Sequence, residues 1–428
     1  MRALKSNSDD TDARLQDLTI PPGTAWAITA REQAINRVRA AGLPGRRDEY
    51  WKYTNPSTLC QGGVEKAAVF NPQEAAVFSE IDQLKIVFVD GVFDKAASDD
   101  LELEGIEIDL LSDVTQRDIH WAKNLYGVLE ADGQVPVARS LAAYNTAYSQ
   151  DGVVIRITGK AAKPVSLLYL HTSETSDAII HHLIKVEDGA ELTLLEDGPA
   201  AARLNMVLEV DVADNGIFRH IRTQGRDHER RALTHIFARL GTESVFKSFT
   251  MTVNGVLTRN EAVITLTGDN ATASIAGAAI GDGDFHHDDT VFITHDAQNC
   301  NSRQVFKKVL SNGATGVFQG KILVKKDAQK TDGYQISQAL LLHDNAQFLA
   351  KPELEIYADD VICSHGSTTG AIDEDALFYL RARGVPLDEA QDLLVLAFLA
   401  EAIDEVDDKD ISAELTLRLQ QWLQRHRG

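Results

Sequence analysis

Residues 179–195 read Ile179-Ile180-His181-His182-Leu183-Ile184-Lys185-Val186-Glu187-Asp188-Gly189-Ala190-Glu191-Leu192-Thr193-Leu194-Leu195. Two β-rich runs, Ile179–Val186 and Glu191–Leu195, flank an Asp188-Gly189 turn signal. From Gly152 to His365 runs of this kind follow one another. They include Val153–Thr158, Val165–Leu170, Met206–Val212, Ile217–Thr223, His235–Leu240, Ser244–Val253, Ala262–Thr267, Thr290–Thr294, Gly316–Val324 and Leu354–Tyr357. Asp214-Asn215-Gly216, Asn254-Gly255, Gly268-Asp269-Asn270 and Asn312-Gly313 punctuate them. Helical periodicity is missing throughout. A sandwich this long is uncommon, whereas a solenoid can have any length because each coil buries only its neighbours. No strict repeat motif is present. The expectation is a mainly β chain with a parallel β-helix, and a large sandwich is the second choice.

The flanks read differently. Residues 1–22 are polar and expected to be disordered. Residues 25–41 have helical spacing and stop at Gly42-Leu43-Pro44. Arg46-Arg47-Asp48-Glu49-Tyr50-Trp51-Lys52-Tyr53-Thr54 sets charges against aromatic rings: a loop anchored on the core by its rings is the first reading, a docking loop the second. Residues 85–94 suggest a strand, a turn at Asp90-Gly91 and a second strand. Residues 117–131 and 138–148 suggest helices. Beyond residue 370 three more helices are expected, over about 374–383, 386–406 and 412–426, with Asp373 as N-cap and Gly384 as a stop. The division is therefore 1–150, an N-terminal mixed α/β region; 151–370, the β core; and 371–428, a helical tail. Leu393–Ile403 is apolar nearly all round, so it must be covered on more than one side, by the β region or by a partner.

The 428 residues carry 42 basic and 64 acidic side chains, a formal charge of −22. That disfavours nucleic acid and anionic membranes as partners. Cys60, Cys300 and Cys363 are too few and too scattered for a disulfide framework. The first twenty residues lack a secretory h-region, and Leu393–Ile403 is too short to span a bilayer. A cytoplasmic protein is expected.

Chemistry is concentrated near the end of the β region. In Val361-Ile362-Cys363-Ser364-His365 an extended chain puts Cys363 and His365 on one face. A thiol beside an imidazole is a pair of soft-metal ligands, or a nucleophile and its base. Gly366-Ser367-Thr368-Thr369-Gly370 reads as a turn after it. Two ligands do not complete a tetrahedral site, so others must come from elsewhere. Residues 282–300 hold His286, His287, Asp288, Asp289, His295, Asp296 and Cys300 without any known metal spacing. A solvated turn with a structural His295 is the plainer account there, and zinc on His286, His295 and Cys300 the sharper one. Gly316-Val317-Phe318-Gln319-Gly320-Lys321-Ile322 is one residue short of a P-loop and has Ile322 where a hydroxyl should hold magnesium. No catalytic residues stand out, and the chain is read as a non-enzyme.

Several runs together are similar to the SufB/SufD family, scaffold subunits of the SUF iron–sulfur cluster assembly system. They are Asn301-Ser302-Arg303-Gln304, Gly320-Lys321-Ile322, Ala328-Gln329-Lys330-Thr331-Asp332, Pro352-Glu353-Leu354-Glu355-Ile356, Asp360-Val361-Ile362-Cys363-Ser364-His365-Gly366 and Leu377-Phe378-Tyr379-Leu380-Arg381-Ala382-Arg383-Gly384. Asp289-Thr290 with His295 and the early Arg46–Thr54 run extend the match. Tyr50 departs from it, since an acidic residue is common there. The Cys-x-His-Gly pattern resembles the SufD side of the family. The Glu-His-Glu sequence and extra cysteines of the SufB side are not found.

The resemblance implies a right-handed parallel β-helix between an N-terminal α/β region and a C-terminal helical region that docks an ATPase. It implies two partners, a SufB-like subunit paired through the β-helices and a SufC-like ABC ATPase on the C-terminal helices. Leu377, Phe378, Leu380, Arg383, Leu394 and Phe398 are the partner-binding candidates. Cys363 and His365 become metal ligands for a transient iron or iron–sulfur cluster shared with SufB, with nothing tightly bound to the isolated chain. An unpaired β-helix edge also suggests a homodimer in isolation. The rival from another class is a β-helix carbohydrate-active enzyme, which the acidic charge and the missing signal disfavour.

Overall fold

The computed structural model describes residues 7–16, 18–69, 76–225 and 229–426. From Val153 to Gly370 the chain winds as a parallel β-solenoid of about seven turns. Successive strands fall alternately into two sheets. One holds Asp177–Val186, Arg203–Val212, Arg231–Leu240, Leu257–Leu266, His286–His295, Thr315–Val324 and Gln347–Ile356. The other holds Glu191–Asp197, Ile217–Gln224, Val245–Val253, Thr272–Gly281, Asn301–Leu310, Asp332–Leu341 and Ile362–Gly370. We call them the N-face and C-face sheets, after the terminal region that covers each.

Side chains alternate between the lumen and the outer face. Leu192, Leu208, Phe218, Phe246, Ile264, Ile293 and Phe318 fill the lumen. Outward residues are covered too: Ile179, Leu233 and Leu257 by the N-terminal helices, Phe249, Val305 and Val309 by the C-terminal ones. Arg203–Val212 is buried on both faces, and its polar members Arg203, Asn205 and Glu209 are buried with the apolar ones. Most bends are asparagine or glycine turns, with Glu243 and Lys330 taking a positive φ at two others. Asn215, Asn254, Asn270, Asn312 and Gly313 all take positive φ, at the turn signals noted in the sequence. Coil length drifts, since side chains bonded one coil apart are separated by 26 residues at Thr223–Asp197 and 31 at Gln335–Gln304. That drift removes a strict sequence period.

The N-terminal region adds to both sheets. Leu84–Val89 pairs in parallel with Val165–Leu170, and Ile106–Leu110 runs antiparallel to Val153–Ile157. The Asp90-Gly91 hairpin forms with φ 47° and 90°, the left-handed pair that a two-residue hairpin requires. Two expectations are corrected. Residues 1–22 are not featureless: Asn7–Leu15 is a helix, tied down by Arg14 to Asp177 at 2.9 Å and by the Leu43 N–H to Thr11 Oγ1 at 2.9 Å. Residues 1–6 and 17 lie outside the described residues. The single helix over 117–131 is instead a 3₁₀ turn, Trp121–Asn124, and a short helix, Val128–Asp132, separated at Gly127 with φ 69°. The break aims the Gly127, Leu129 and Glu130 amides at the buried Glu209 carboxylate, at 2.5, 2.7 and 3.1 Å.

The tail forms three helices, Glu374–Ala382, Leu387–Ile403 and Lys409–Arg425. Val395, Leu399, Ala402 and Ile403 bury against the C-face sheet and against Ile411, Leu415, Leu419 and Trp422. Each buried Val, Leu or Ile among them contributes about 1.5–3 kcal/mol. No helix among the described residues is long and apolar enough to cross a membrane.

Candidate functional site

The solenoid ends on two strands, Gln347–Ile356 and Ile362–Gly370, each last in its sheet. Among the described residues nothing pairs with their outer backbone edges. Gly366–Gly370 is not the expected turn. Its residues continue the strand, in register with Ile336–Leu340 beneath, because the ladder hydrogen bonds outweigh glycine's preference for bends.

Cys363 and His365 do share a face, and that face is the lumen side. Cys363 stands over Gly333 and His365 over Gln335. A Cβ on Gly333 would come within 3.2 Å of the Cys363 Sγ, so the glycine leaves room for the thiol. Cys363 packs half-buried beside Ile322, Val324, Ala328 and Leu354. Burial raises its thiol pKa, which keeps it protonated until a metal or base displaces the proton. His365 is exposed. Two soft donors thus sit side by side at the open rim of the lumen. No group of three or more His, Cys, Asp or Glu side chains able to hold a metal occurs among the described residues. Two donors are half a tetrahedral set, so a metal held at this pair would need further donors from elsewhere.

The helix after this strand starts as expected: Asp373 accepts from the Asp375 and Ala376 amides at 2.9 and 3.0 Å. It ends at Gly384 with φ 89°. None of its residues is buried. Leu377 and Leu380 are half-buried and Phe378 is 75% exposed. Arg383 lies over the Tyr379 ring at 4.7 Å. In the next helix Leu394 is half-buried, while Phe398 turns toward the C-face sheet under the Lys307 ammonium at 4.6 Å.

The His286–Cys300 residues do not converge. His286 meets Thr54 Oγ1 at 2.9 Å on the outer face, while His287 meets Lys308 Nζ at 2.7 Å in the lumen. His295 pairs with Ser302 Oγ at 2.8 Å, and the Cys300 thiol donates to the Gly268 carbonyl at 3.3 Å. Burial depresses the pKa of all three histidines, that of His295 to about 4, so each serves as a neutral structural group.

The Arg46–Thr54 run is an anchor. Tyr50 and Trp51 are buried, and Thr54 donates to Asp288 Oδ2 at 2.5 Å. Arg259 stacks on Trp51 at 4.1 Å and pairs with both Asp288 and Glu261. Arg139 also pairs with Glu261, at 2.9 Å. Tyr50 Oη donates to Glu353 Oε2 at 2.6 Å, and Glu49 pairs with Lys351 at 2.7 Å, so the run reaches the last N-face strand. Sequence reasoning missed the Arg259, Glu261, Asp288 and Arg139 network. The expected runs Ala262–Thr267 and Thr290–Thr294 begin after Arg259, Glu261 and Asp288, which the strands Leu257–Leu266 and His286–His295 include.

Residues 169–398 match the family model described as SUF system FeS cluster assembly, SufBD core domain. Residues 24–165 match the model of the SufBD protein N-terminal region. The chain is 30% identical over 402 residues to the iron–sulfur cluster assembly protein SufD of Escherichia coli, covering 92% of each. It is 27% identical to a SufBD family protein of Synechocystis, over 94% of this chain and 93% of that one. The SufD protein of Bacillus subtilis is 28% identical over 59% of each chain.

Proposed function

The chain belongs to the SufBD family of the SUF iron–sulfur cluster assembly system, and from that premise we propose that it is a non-catalytic scaffold subunit that lends two ligands to a nascent cluster. The cluster or its iron is cargo, held at the rim of the lumen by Cys363 and His365. A SufB-like subunit supplies the remaining donors by pairing with the two terminal strands. A SufC-like ABC ATPase docks on the C-terminal helices, where Leu377, Phe378, Leu380, Arg383 and Leu394 offer apolar and cationic contacts and Phe398 backs them. ATP-driven movement of those helices opens and closes the rim. The observation that carries this reading is a same-face thiol and imidazole on a strand whose outer edge is unpaired among the described residues. A bare strand edge is a template for another chain, and without a SufB-like subunit a second copy of this chain takes the place, giving a homodimer.

Tagged chain co-expressed with the two candidate partners should bring both down, and truncation after Gly370 should release the ATPase alone. In the purified complex His365→Ala should abolish reconstitution of a cluster while leaving the subunit stoichiometry intact. Full reconstitution by that variant ends the ligand role, and capture of neither partner ends the scaffold role.

A further inference from the structure

Three inward residues stand in one column at the rim of the lumen, on successive strands of the C-face sheet. The register sets Gln304 against Gln335 and Gln335 against His365. Both glutamines are fully buried. Gln335 Nε2 donates to Gln304 Oε1 at 2.9 Å. That bond leaves the other end of each amide, Gln304 Nε2 and Gln335 Oε1, shielded from solvent and without a hydrogen-bond partner among the described residues. An unmet buried polar group costs about 1–3 kcal/mol, so a buried acceptor of this kind calls for a donor. The Gln335 amide is also seated from the side. A Cβ on Gly320, in the facing sheet, would come within 1.9 Å of Gln335 Nε2, so a side chain there would displace the amide from this position. Neighbouring strands are about 4.8 Å apart, and the next side chain in the column is the imidazole of His365. That ring makes no side-chain hydrogen bond among the described residues.

We propose that Gln335 is a positioning residue for His365: its Oε1 accepts the N–H of one imidazole nitrogen and so turns the lone pair of the other to the open rim. The inference deepens the reading of His365 as a cargo ligand and rests on it. A ligating histidine needs one nitrogen unprotonated and the ring held, and a carbonyl on the far N–H does both. The sense of the ladder matters. By taking the Gln335 N–H, Gln304 leaves the carbonyl end for the ring. A ladder of opposite sense would offer His365 a donor, which would compete for the lone pair that iron requires.

The test reads the tautomer without iron. Full-length chain labelled with ¹⁵N-histidine is examined by long-range ¹H–¹⁵N correlation at about pH 8, above the ordinary histidine range. The His365 signals are assigned by their loss in His365→Ala. One pyrrole-like and one pyridine-like nitrogen are expected for His365. In Gln335→Met, which keeps the volume and removes the acceptor, the two shifts should move toward the average of free imidazole. Gln335→Glu keeps an acceptor and should retain the single-tautomer pattern. Averaged shifts in the parent, or the same pattern in parent and Gln335→Met, overturn the proposal. If the methionine variant does not fold, Gln335→Asn withdraws the carbonyl by one methylene and is read in the same way. The ligand role is judged separately by cluster reconstitution in His365→Ala, so either idea can fail without the other.

Discussion

The N-terminal seal over the N-face sheet and the last strands of the solenoid both carry polar side chains, and they treat them in opposite ways. In the seal Arg259, Asp288, Glu261 and Arg139 are buried and paired with one another, with Trp51 and Thr54 closing over them. At the last strand Ile362 is 73% exposed, His365 is exposed, and the outer backbone edge has no partner among the described residues. Burial without pairing is costly, so a chain either satisfies its polar groups or leaves them where another molecule can. The seal is a finished surface of the first kind. The rim is of the second kind, which supports its reading as a shared site.

The contrast breaks down if the seal tolerates substitution as well as the rim does. Arg259→Met should give the largest loss. It leaves the Asp288 carboxylate without its cation, held by neutral donors such as Thr54 and Gln319, and leaves Glu261 with Arg139 alone; removing one partner of a buried pair costs about 3–5 kcal/mol. Urea unfolding of the isolated chain measures it. A loss below about 1 kcal/mol would mean that the network is wetter than its burial indicates.

Acid should come next. Burial holds His235, beneath the seal, and His295, in the lumen, neutral, with pKa values depressed to about 4. An unfolded histidine titrates near 6.5. Between pH 6.5 and 4 the unfolded chain therefore binds more protons, and stability falls as pH falls. The slope approaches about 1.4 kcal/mol per pH unit for each such histidine. Urea midpoints at pH 7.5, 6 and 5 should decline in step, and His295→Gln should flatten the decline; a midpoint flat from pH 7.5 to 5 contradicts this.

Tyr50→Phe sharpens the comparison at the point where the seal touches the rim. It removes the hydroxyl bonded to Glu353 on the last N-face strand, worth about 1–2 kcal/mol. Hydrogen exchange should speed up in Gln347–Ile356 more than in Leu257–Leu266. Uniform acceleration would show that the strand does not open by itself. Smallest of all, His365→Ala and Phe378→Ala should stay within about 0.5 kcal/mol of the parent, since neither side chain is buried. A larger loss in the isolated chain would assign those residues to its own folding.

Much of the fold was legible because its signals are local. Asn254-Gly255 and Asn312-Gly313 mark bends whatever the strands around them do, since few other residues accept positive φ. Asp373 and Gly384 bound their helix for equally local reasons. The failures were long-range. Gly366–Gly370 looks like a turn and is held extended by the strand beneath it. Gly127 breaks a plausible helix in favour of a carboxylate, that of Glu209, on a distant strand. Arg14, in a polar stretch, is fixed by Asp177, far along the chain.

By itself the sequence determined the strand-and-turn rhythm, the helical tail, and the placing of Cys363 and His365 on one face, because period and turn chemistry are properties of neighbouring residues. Tertiary structure alone decided that the shared face is the lumen side, that the strand bearing it is the last, and that Gln335 lies beneath His365. Those facts depend on how coils of unequal length stack, and coil register is fixed by contacts between residues about thirty positions apart.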